Sequence, residues 1–221
     1  MKLHKALVKT GFHMNCENFM KAYSEAHEKY QAIRYQQLVE VTNAVWISEA
    51  LNSLGFKTTP ENPEIKKAVD LFFEDYLNSL SLRPCTLQLL KKTSANYKLG
   101  LISNFTYAPV IRAALRKLGI NQFFNAVLIS EEVCWRKPHP KIFEKALSRL
   151  GASPMETVYV GDSPKEDIKG AKALGMKTVF VPSQFYSLED LHGSQQKPDL
   201  IAEDVCMLYK NFDIFLKELS E

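Results

Sequence analysis

The first third of the chain has apolar residues at helical spacing. Phe19, Tyr23 and Ala26 recur every three or four positions, which is the period of one face of an α-helix. Two more apolar stripes of this kind follow, one ending at Gly55 and the other reaching residue 80. No alternating strand pattern interrupts them, so residues 15–80 are predicted to form a helical module whose aromatic side chains pack in a core.

From Arg83 the pattern changes to short apolar runs separated by amphipathic segments. The runs are typical of buried strands, and they are predicted at 99–102, 126–129, 157–160, 177–181 and 200–201. A last helix is predicted between Val205 and Leu219. Continuous apolar strands alternating with helices predict an α/β fold: a Rossmann-like parallel sheet with helices on both faces.

Composition and charge exclude some classes of partner. The 221 residues are 46% hydrophobic and 24% charged, which is ordinary for a globular protein. A net charge of +3 is too small to argue for nucleic acid, and no apolar run approaches membrane-spanning length. The first ten residues are basic and interrupted, unlike a signal peptide. We therefore expect neither a nucleic-acid partner nor a membrane.

The four cysteines, Cys16, Cys85, Cys134 and Cys206, are scattered and form no C-x-x-C pair. This spacing argues against a structural zinc site and against a disulfide framework. It therefore predicts a protein of the reducing cytoplasm.

Two carboxylates follow one of the predicted strands. The run that begins at Val158 stops at Gly161; Asp162 comes directly after it, and Asp167 lies in the following turn. Ligands of open α/β sheets bind in the crevice beyond such strand ends, and Mg²⁺ prefers carboxylate oxygens. The alternative interpretation is a plain strand–turn–helix unit in which Asp162 only caps the helix.

Two other loops carry polar groups that suit a phosphate. Ser103 and Asn104 follow the first predicted strand, where a hydroxyl and backbone N–H groups can hold an anion. Lys137 lies in a Lys-Pro-His-Pro segment just before a predicted helix, and would be a point charge for a phosphoryl group. Taken singly, these are also a Ser/Asn turn and a solvated surface lysine. Their order and placement together are more specific.

Ser103, then Lys137 before proline, then Gly161-Asp162 with Asp167, resemble motifs II, III and IV of the haloacid dehalogenase-like hydrolase superfamily. The resemblance covers the chain from about residue 83 onward, and implies a Rossmann-like core at 81–221. By position and helicity, 15–80 resembles the helical C1-type cap of that family, and 1–14 the remnant of a flap or linker.

The resemblance implies a Mg²⁺-dependent phosphatase that hydrolyses a small phosphorylated metabolite through an aspartyl-phosphate. Lys137 and Ser103 would be catalytic, Ser103, Asn104 and Lys137 would bind phosphate, and Asp162 and Asp167 would bind the metal. A 2-haloacid dehalogenase, and a non-catalytic phosphate-binding or regulatory protein, are the alternatives. The acidic pair favours the Mg²⁺ enzyme, since two adjacent carboxylates repel each other unless a cation is present.

The family's motif I, an Asp-x-Asp segment after the central strand, has no match in this chain. Its two aspartates would be the nucleophile and the general acid/base, so no residue here is assigned to either role. The absence has two interpretations: this sequence is a shortened form of a phosphatase, or it is a pseudoenzyme.

A missing central strand would leave a gap in the sheet between the strands that end at Ser103 and Gly161. Backbone groups without partners there would cost roughly 1–3 kcal/mol each. We expect one of three outcomes: residues Leu3 to Val8 form a surrogate strand, a neighbouring molecule donates one, or the chain is unstable. The expected oligomeric state is a monomer or a homodimer, with strand exchange possible.

Overall fold

The computed structural model describes residues 1–220, which form two compact units. The first unit comprises Met1–Leu80 and Phe105–Leu115, and the second comprises Ser81–Asn104 and the chain from Arg116 onward. The segment Phe105–Leu115 belongs to the first unit, although in the sequence it lies between the predicted strands at 99–102 and 126–129.

The helices are, in chain order, α1 (Lys2–Lys9), α2 (Cys16–Gln36), α3 (Asn43–Ser53), α4 (Pro63–Ser79), α5 (Thr86–Ser94), α6 (Ala108–Lys117), α7 (Ser130–Val133), α8 (Pro140–Leu150), α9 (Lys169–Ala173), α10 (Leu188–His192), α11 (Val205–Lys210) and α12 (Phe212–Ser220). The strands are β1 (Gly100–Ser103), β2 (Ala126–Ile129), β3 (Val158–Gly161), β4 (Lys177–Phe180) and β5 (Leu200–Ile201). Short 3₁₀ turns lie at Asn121–Phe123 and Pro154–Glu156, and a π-helical turn at Pro164–Ile168.

Asparagine side chains set where two helices of the first unit begin. The side chain of Asn15 accepts hydrogen bonds from two backbone N–H groups of the first turn of α2, at 2.8 and 3.1 Å. Asn62 does the same for α4, where Pro63 occupies the first helical position. Each such cap stabilises its helix by about 1 kcal/mol.

The core of the first unit is built from the apolar stripes of α1 to α4. Its fully buried side chains include Leu7, Phe19, Ile47, Leu51 and Ile65. The prediction that the aromatic residues of this region pack in a core is confirmed for Phe19, which has no exposed surface.

The first of the three expected outcomes, a surrogate strand at Leu3 to Val8, is wrong, because this segment is the helix α1. Leu3, Ala6 and Leu7 are its buried residues, and their spacing is that of one helical face rather than the alternation of a strand. The segment 1–14, expected to be a flap or linker, therefore contributes a helix to the core of the first unit.

The second unit is α/β with parallel strands, as the sequence predicts, but its strands form two separate sheets. One sheet contains β1 and β2, paired in parallel from Gly100 opposite Ala126 to Ser103 opposite Ile129. The other contains β3, β4 and β5 in that order, also parallel. The expected interruption between the strands that end at Ser103 and Gly161 is therefore present.

Apolar side chains are exposed on β3, the strand that borders the interruption. Val158 and Val160 lie on the same side of this strand, and they are 36% and 48% exposed. In contrast, β4 lies between two strands, and its residues Val179 and Phe180 are buried. Within residues 1–220, β1 and β3 each pair with one strand only.

The terminal helix predicted at Val205–Leu219 is divided into two. Helix α11 ends at Lys210 and α12 starts at Phe212. Asn211 interrupts them, and its side-chain amide donates to the carbonyl oxygen of Met207 at 3.1 Å. Asparagine readily makes such local bonds to the backbone, which compete with the regular helix.

Cys85 and Cys206 form a disulfide, so the sequence argument against disulfides is wrong for this pair. The two residues are 121 positions apart, and the fold brings them together by packing α5 against α11. Cys16 and Cys134 are free. The predicted cytoplasmic location rested partly on the absence of disulfides, and it stays a prediction.

In the part of the chain that the structure describes, no helix has the length and apolar composition needed to cross a lipid bilayer.

Candidate active site

Asp167 is the centre of a buried hydrogen-bond network at the carboxyl ends of β1 and β3. Its Oδ1 accepts hydrogen bonds from the ammonium group of Lys137 at 2.6 Å and the hydroxyl of Tyr159 at 3.0 Å. Its Oδ2 accepts from the backbone N–H groups of Asp162 and Ser163, at 3.1 and 3.0 Å. The side chain is 3% exposed, so four protein donors, two on each oxygen, replace the water that would otherwise solvate the carboxylate.

Lys137 connects the ends of the two sheets. Its side chain is 11% exposed, which excludes the interpretation as a solvated surface lysine. Besides its ion pair with Asp167, Nζ lies 3.4 Å from the carbonyl oxygen of Ile102, the residue before Ser103. One ammonium group therefore reaches the ends of both β1 and β3.

The electrostatics of this pair keep both members charged. Burial alone would lower the pKa of Lys137, but the neighbouring acidic groups Tyr159, Asp167 and Glu166 raise it above its ordinary value. Burial alone would raise the pKa of Asp167, but the Lys137 ammonium and the other donors lower it. The network therefore holds one fixed positive and one fixed negative charge near neutral pH.

Asn104 fixes the loop that carries Lys137. Its side-chain amide donates to the carbonyl oxygen of Lys137 at 3.0 Å, and its Oδ1 accepts from the backbone N–H of Lys137 at 2.8 Å. The next peptide bond, Lys137–Pro138, is cis. Because the side chain of Asn104 is used in this clamp, its backbone N–H is the group left to bind an anion.

Gly161 is needed because Asp167 lies directly against it. A Cβ atom at this position would lie 2.5 Å from the Cγ atom of Asp167, far closer than such atoms approach. The sequence pattern predicts only that this glycine ends the strand. The structure adds that a side chain would displace the central carboxylate.

Ser163, not Asp162, caps the helical turn that follows β3. The hydroxyl oxygen of Ser163 accepts a hydrogen bond from the backbone N–H of Glu166 at 3.2 Å. The alternative interpretation of Asp162 as a helix cap is therefore wrong. Asp162 is half-buried, and within residues 1–220 its carboxylate makes no hydrogen bond, so its oxygens are open to a ligand.

A second pair of charged groups lies beside the network. Arg136 is 4% exposed, and its guanidinium lies 3.7 Å from the carboxylate of Glu166. Burial raises the pKa of Glu166, although the positive charges of Lys137 and Arg136 oppose that rise. No role for either residue was predicted from the sequence.

The predicted site residues meet in the second unit. Ser103 ends β1 beside the carbonyl that contacts Lys137, Asn104 clamps Lys137, and Asp162 and Asp167 follow β3. Tyr159 was missed, and a polar ring inside the apolar run Val158–Gly161 was the available signal.

The residues present suit Mg²⁺ only in part. Asp162 offers a hard oxygen ligand, and Mg²⁺ often binds through one or two carboxylates with water and substrate phosphate. Asp167 fits less well, because all four of its accepting positions are used within the protein. No cluster of three or more His, Cys, Asp or Glu side chains suited to a metal occurs in the described residues.

The Lys137 ammonium also offsets the repulsion expected between Asp162 and Asp167. Asp162 and Asp167 were expected to require a bound cation because two carboxylates repel each other. The ammonium of Lys137 already neutralises Asp167 at 2.6 Å. The acidic pair therefore does not by itself require a metal ion.

Residues 14–181 match the family model of the haloacid dehalogenase-like hydrolases, and the chain belongs to that family. The resemblance inferred from the three motifs is thereby confirmed.

Two curated relatives and one solved structure illustrate what the chain is similar to. It is 37% identical over 131 residues to the glyceraldehyde 3-phosphate phosphatase of Methanothermobacter thermautotrophicus, a match covering 58% of each protein. It is 29% identical over 161 residues to a pyrimidine 5'-nucleotidase of Escherichia coli, covering 72% of this chain and 71% of that enzyme.

The solved structure is a 2-haloacid dehalogenase from Pseudomonas syringae pv. Tomato, which superimposes with a TM-score of 0.67 at 21% identity. The superposition covers 96% of this chain and 88% of that one. At this identity the likeness supports the fold alone.

Proposed function

We propose that this chain contains the phosphate-binding part of a phosphatase that acts on a small phosphorylated metabolite. The observation that carries the proposal is the buried Lys137 ammonium, fixed by Asp167 at the strand ends beside Ser103. A fixed cation in a site shielded from water is what a phosphoryl group needs. The phosphatase and nucleotidase names of the two relatives support this reaction class.

In this proposal three groups hold the phosphoryl oxygens. The Ser103 hydroxyl and the backbone N–H of Asn104 donate hydrogen bonds to one non-bridging oxygen. Lys137 supplies a positive charge that is already desolvated and oriented, so little reorganisation is needed as charge develops in the transition state. Arg136 lies too deep, at 4% exposure, to be assigned a contact with substrate.

Asp162 is the residue we assign to Mg²⁺, and Asp167 supports the site by holding Lys137. When bound, Mg²⁺ would neutralise phosphate charge and help orient the phosphoryl group. The covalent step implied by the family resemblance is not assigned to any residue, because no aspartate of this chain matches motif I. The proposal therefore separates phosphate binding, which these residues can perform, from turnover.

The first test is phosphate binding measured apart from hydrolysis. Calorimetric titration with inorganic phosphate, with and without Mg²⁺, should show binding that is lost in Lys137→Met. Hydrolysis of p-nitrophenyl phosphate is followed on the same samples. Mg²⁺-dependent hydrolysis that is lost in Asp162→Asn would identify a phosphatase whose nucleophile lies outside the expected motif. Binding without hydrolysis would favour the non-catalytic alternative.

A 2-haloacid dehalogenase is the second candidate. This reaction needs no metal, and neutralisation of Asp167 by Lys137 removes the charge argument against it. Release of chloride from 2-chloropropionate, unaffected by removal of Mg²⁺, would support the dehalogenase. Absence of both phosphate binding and chloride release would contradict both proposals.

A further inference from the structure

We infer that Tyr159 is a positioning residue, whose hydroxyl fixes the Asp167 carboxylate and through it the direction of the Lys137 ammonium. This inference rests on the proposed phosphate site. Tyr159 lies in the middle of β3, and its hydroxyl donates to the same Oδ1 atom that accepts from Lys137. It is the one network member that reaches Asp167 from within a strand.

The Tyr159 hydroxyl and the Lys137 ammonium share one oxygen of the Asp167 carboxylate. A carboxylate oxygen has two good accepting directions, and on Oδ1 these are taken by Lys137 and Tyr159. The two backbone donors on Oδ2 fix one end of the carboxylate, but they leave it free to tilt about that end. The Tyr159 hydroxyl removes this freedom, so the Lys137 ammonium has one direction of approach.

The position of the tyrosine ring is itself determined by packing. Its centroid lies 5.3 Å from that of Phe143, in an edge-to-face arrangement, and Phe143 is fully buried. Gly170 lies against Phe143, where a Cβ atom would come within 2.5 Å of the ring. A series of contacts therefore connects Gly170 to Phe143, Phe143 to Tyr159, and Tyr159 to Asp167. Packing at one residue thus positions the next.

The test compares a variant that loses the hydroxyl with one that loses the packing. Tyr159→Phe keeps the ring and removes only the donor, whereas Phe143→Leu keeps the donor and weakens the ring contact. A third variant, Tyr159→4-aminophenylalanine, restores an N–H donor at nearly the same place. Each is measured for thermal stability, for inorganic phosphate affinity, and for the rate at which an amine-reactive reagent labels Lys137.

Tyr159→Phe should speed labelling of Lys137 and weaken phosphate binding by roughly tenfold, the lower end of what loss of a supporting hydrogen bond costs at metal sites. The 4-aminophenylalanine variant should recover both. Phe143→Leu should lower the melting temperature more than Tyr159→Phe does, with a smaller change in labelling. Labelling of an exposed lysine such as Lys145 serves as the internal reference.

Unchanged Lys137 labelling in Tyr159→Phe would overturn the inference, whatever the activity of the protein. Equal effects of Tyr159→Phe and Phe143→Leu on labelling would also overturn it, since general loosening would then explain both. Faster labelling of Lys137 in Tyr159→Phe with unchanged phosphate affinity would show that the position of Lys137 does not matter for phosphate binding. If the wild-type chain binds no phosphate, the proposed function fails, while the labelling comparison still decides whether Tyr159 positions Lys137.

Discussion

At the scale of single residues, the candidate site depends on how closely Asp167 approaches its neighbours. Its carboxylate accepts four hydrogen bonds, lies against the Cα atom of Gly161, and pairs with Lys137. A substitution at Gly161, Lys137 or Asp167 is therefore expected to displace or remove a charged group of the site.

Replacement of Gly161 by alanine should disturb the site although it adds only a methyl group. The new Cβ atom would lie 2.5 Å from Asp167, so the carboxylate or the strand must shift. We expect a loss of about 1–3 kcal/mol in the free energy of unfolding, the usual cost of overpacking, together with loss of phosphate binding. Urea unfolding and calorimetric titration measure the two effects.

Gly100→Ala is the matched control, because Gly100 also lies in a strand. A Cβ atom there would meet only the flexible end of Leu150, at 3.0 Å. It should therefore leave phosphate binding intact. Equal loss of binding in both variants would contradict the account of Gly161.

The Asp167–Lys137 pair should make stability depend on pH in acid. The folded protein lowers the pKa of Asp167, so this group contributes stability above its unfolded pKa of about 3.9, and loses it as the pH falls through the folded value. At neutral pH, Asp167→Asn should cost about 3–5 kcal/mol, because it leaves a buried ammonium without its partner.

The difference in unfolding free energy between wild type and Asp167→Asn should therefore shrink as the pH falls below about 4. Urea unfolding between neutral pH and pH 2.5 would show this. Asp75→Asn is the control, since Asp75 belongs to an exposed ion pair with Lys2 and should follow the wild type. If the difference in unfolding free energy between wild type and Asp167→Asn stays constant with pH, the Asp167–Lys137 pair does not cause the pH dependence of stability.

At the scale of elements, the disulfide is the feature that ties distant parts of the second unit together. It joins the start of α5 to α11, across 121 positions of sequence. Because the chain between the two cysteines is long, the bridge removes much freedom from the unfolded chain. The bridge therefore stabilises the protein mainly by restricting the unfolded chain, and less through contacts in the folded state.

Cys85→Ser should lower the free energy of unfolding by about 2–4 kcal/mol under oxidising conditions. Cys206→Ser and the double variant should give the same loss, because all three remove the same bond. Under a thiol reductant the wild type should match them. Cys16→Ser, which changes a free cysteine, should have little effect, and a similar loss in this variant would contradict the assignment.

Elements also show where sequence reasoning succeeds and fails. The strands at 126–129 and 200–201 lie where the apolar runs predict, because local patterning determines a buried strand. The disulfide was missed, because 121 intervening residues leave no local trace of the pairing. The first helix was misjudged because a strand was expected there on grounds of the whole sheet, while the spacing of Leu3, Ala6 and Leu7 already favoured a helix.

The candidate site was predictable as a set of residues but not as a set of interactions. Strand ends identified Ser103, Asp162 and Lys137 as neighbours, because parallel strands deliver their carboxyl ends to one edge. Only the structure shows that Asp167 pairs with Lys137. The distance between two side chains on different loops depends on packing that no local pattern encodes.

At the scale of the whole molecule, the exposed valines of β3 lead us to expect association between copies of the chain. An unpaired strand edge with apolar side chains favours strand pairing between molecules. Val160→Lys places a charge there, and should reduce concentration-dependent association in sedimentation velocity without lowering the melting temperature. Phe185→Lys, at a 74% exposed loop position, is the control. Equal effects of the two variants would indicate general surface hydrophobicity rather than a strand edge.

The two-sheet arrangement also bears on how the second unit opens. Within the described residues, no backbone ladder joins β1 to β3, so side-chain packing and the Lys137 contacts connect the two sheets. Parts of a protein linked in this way can open as separate cooperative units. Native-state hydrogen exchange should then find two classes of slow amides, one in β1 and β2 and another in β3 and β4. Phosphate bound together with Mg²⁺ would merge them into a single class, because Ser103 ends β1 and Asp162 follows β3.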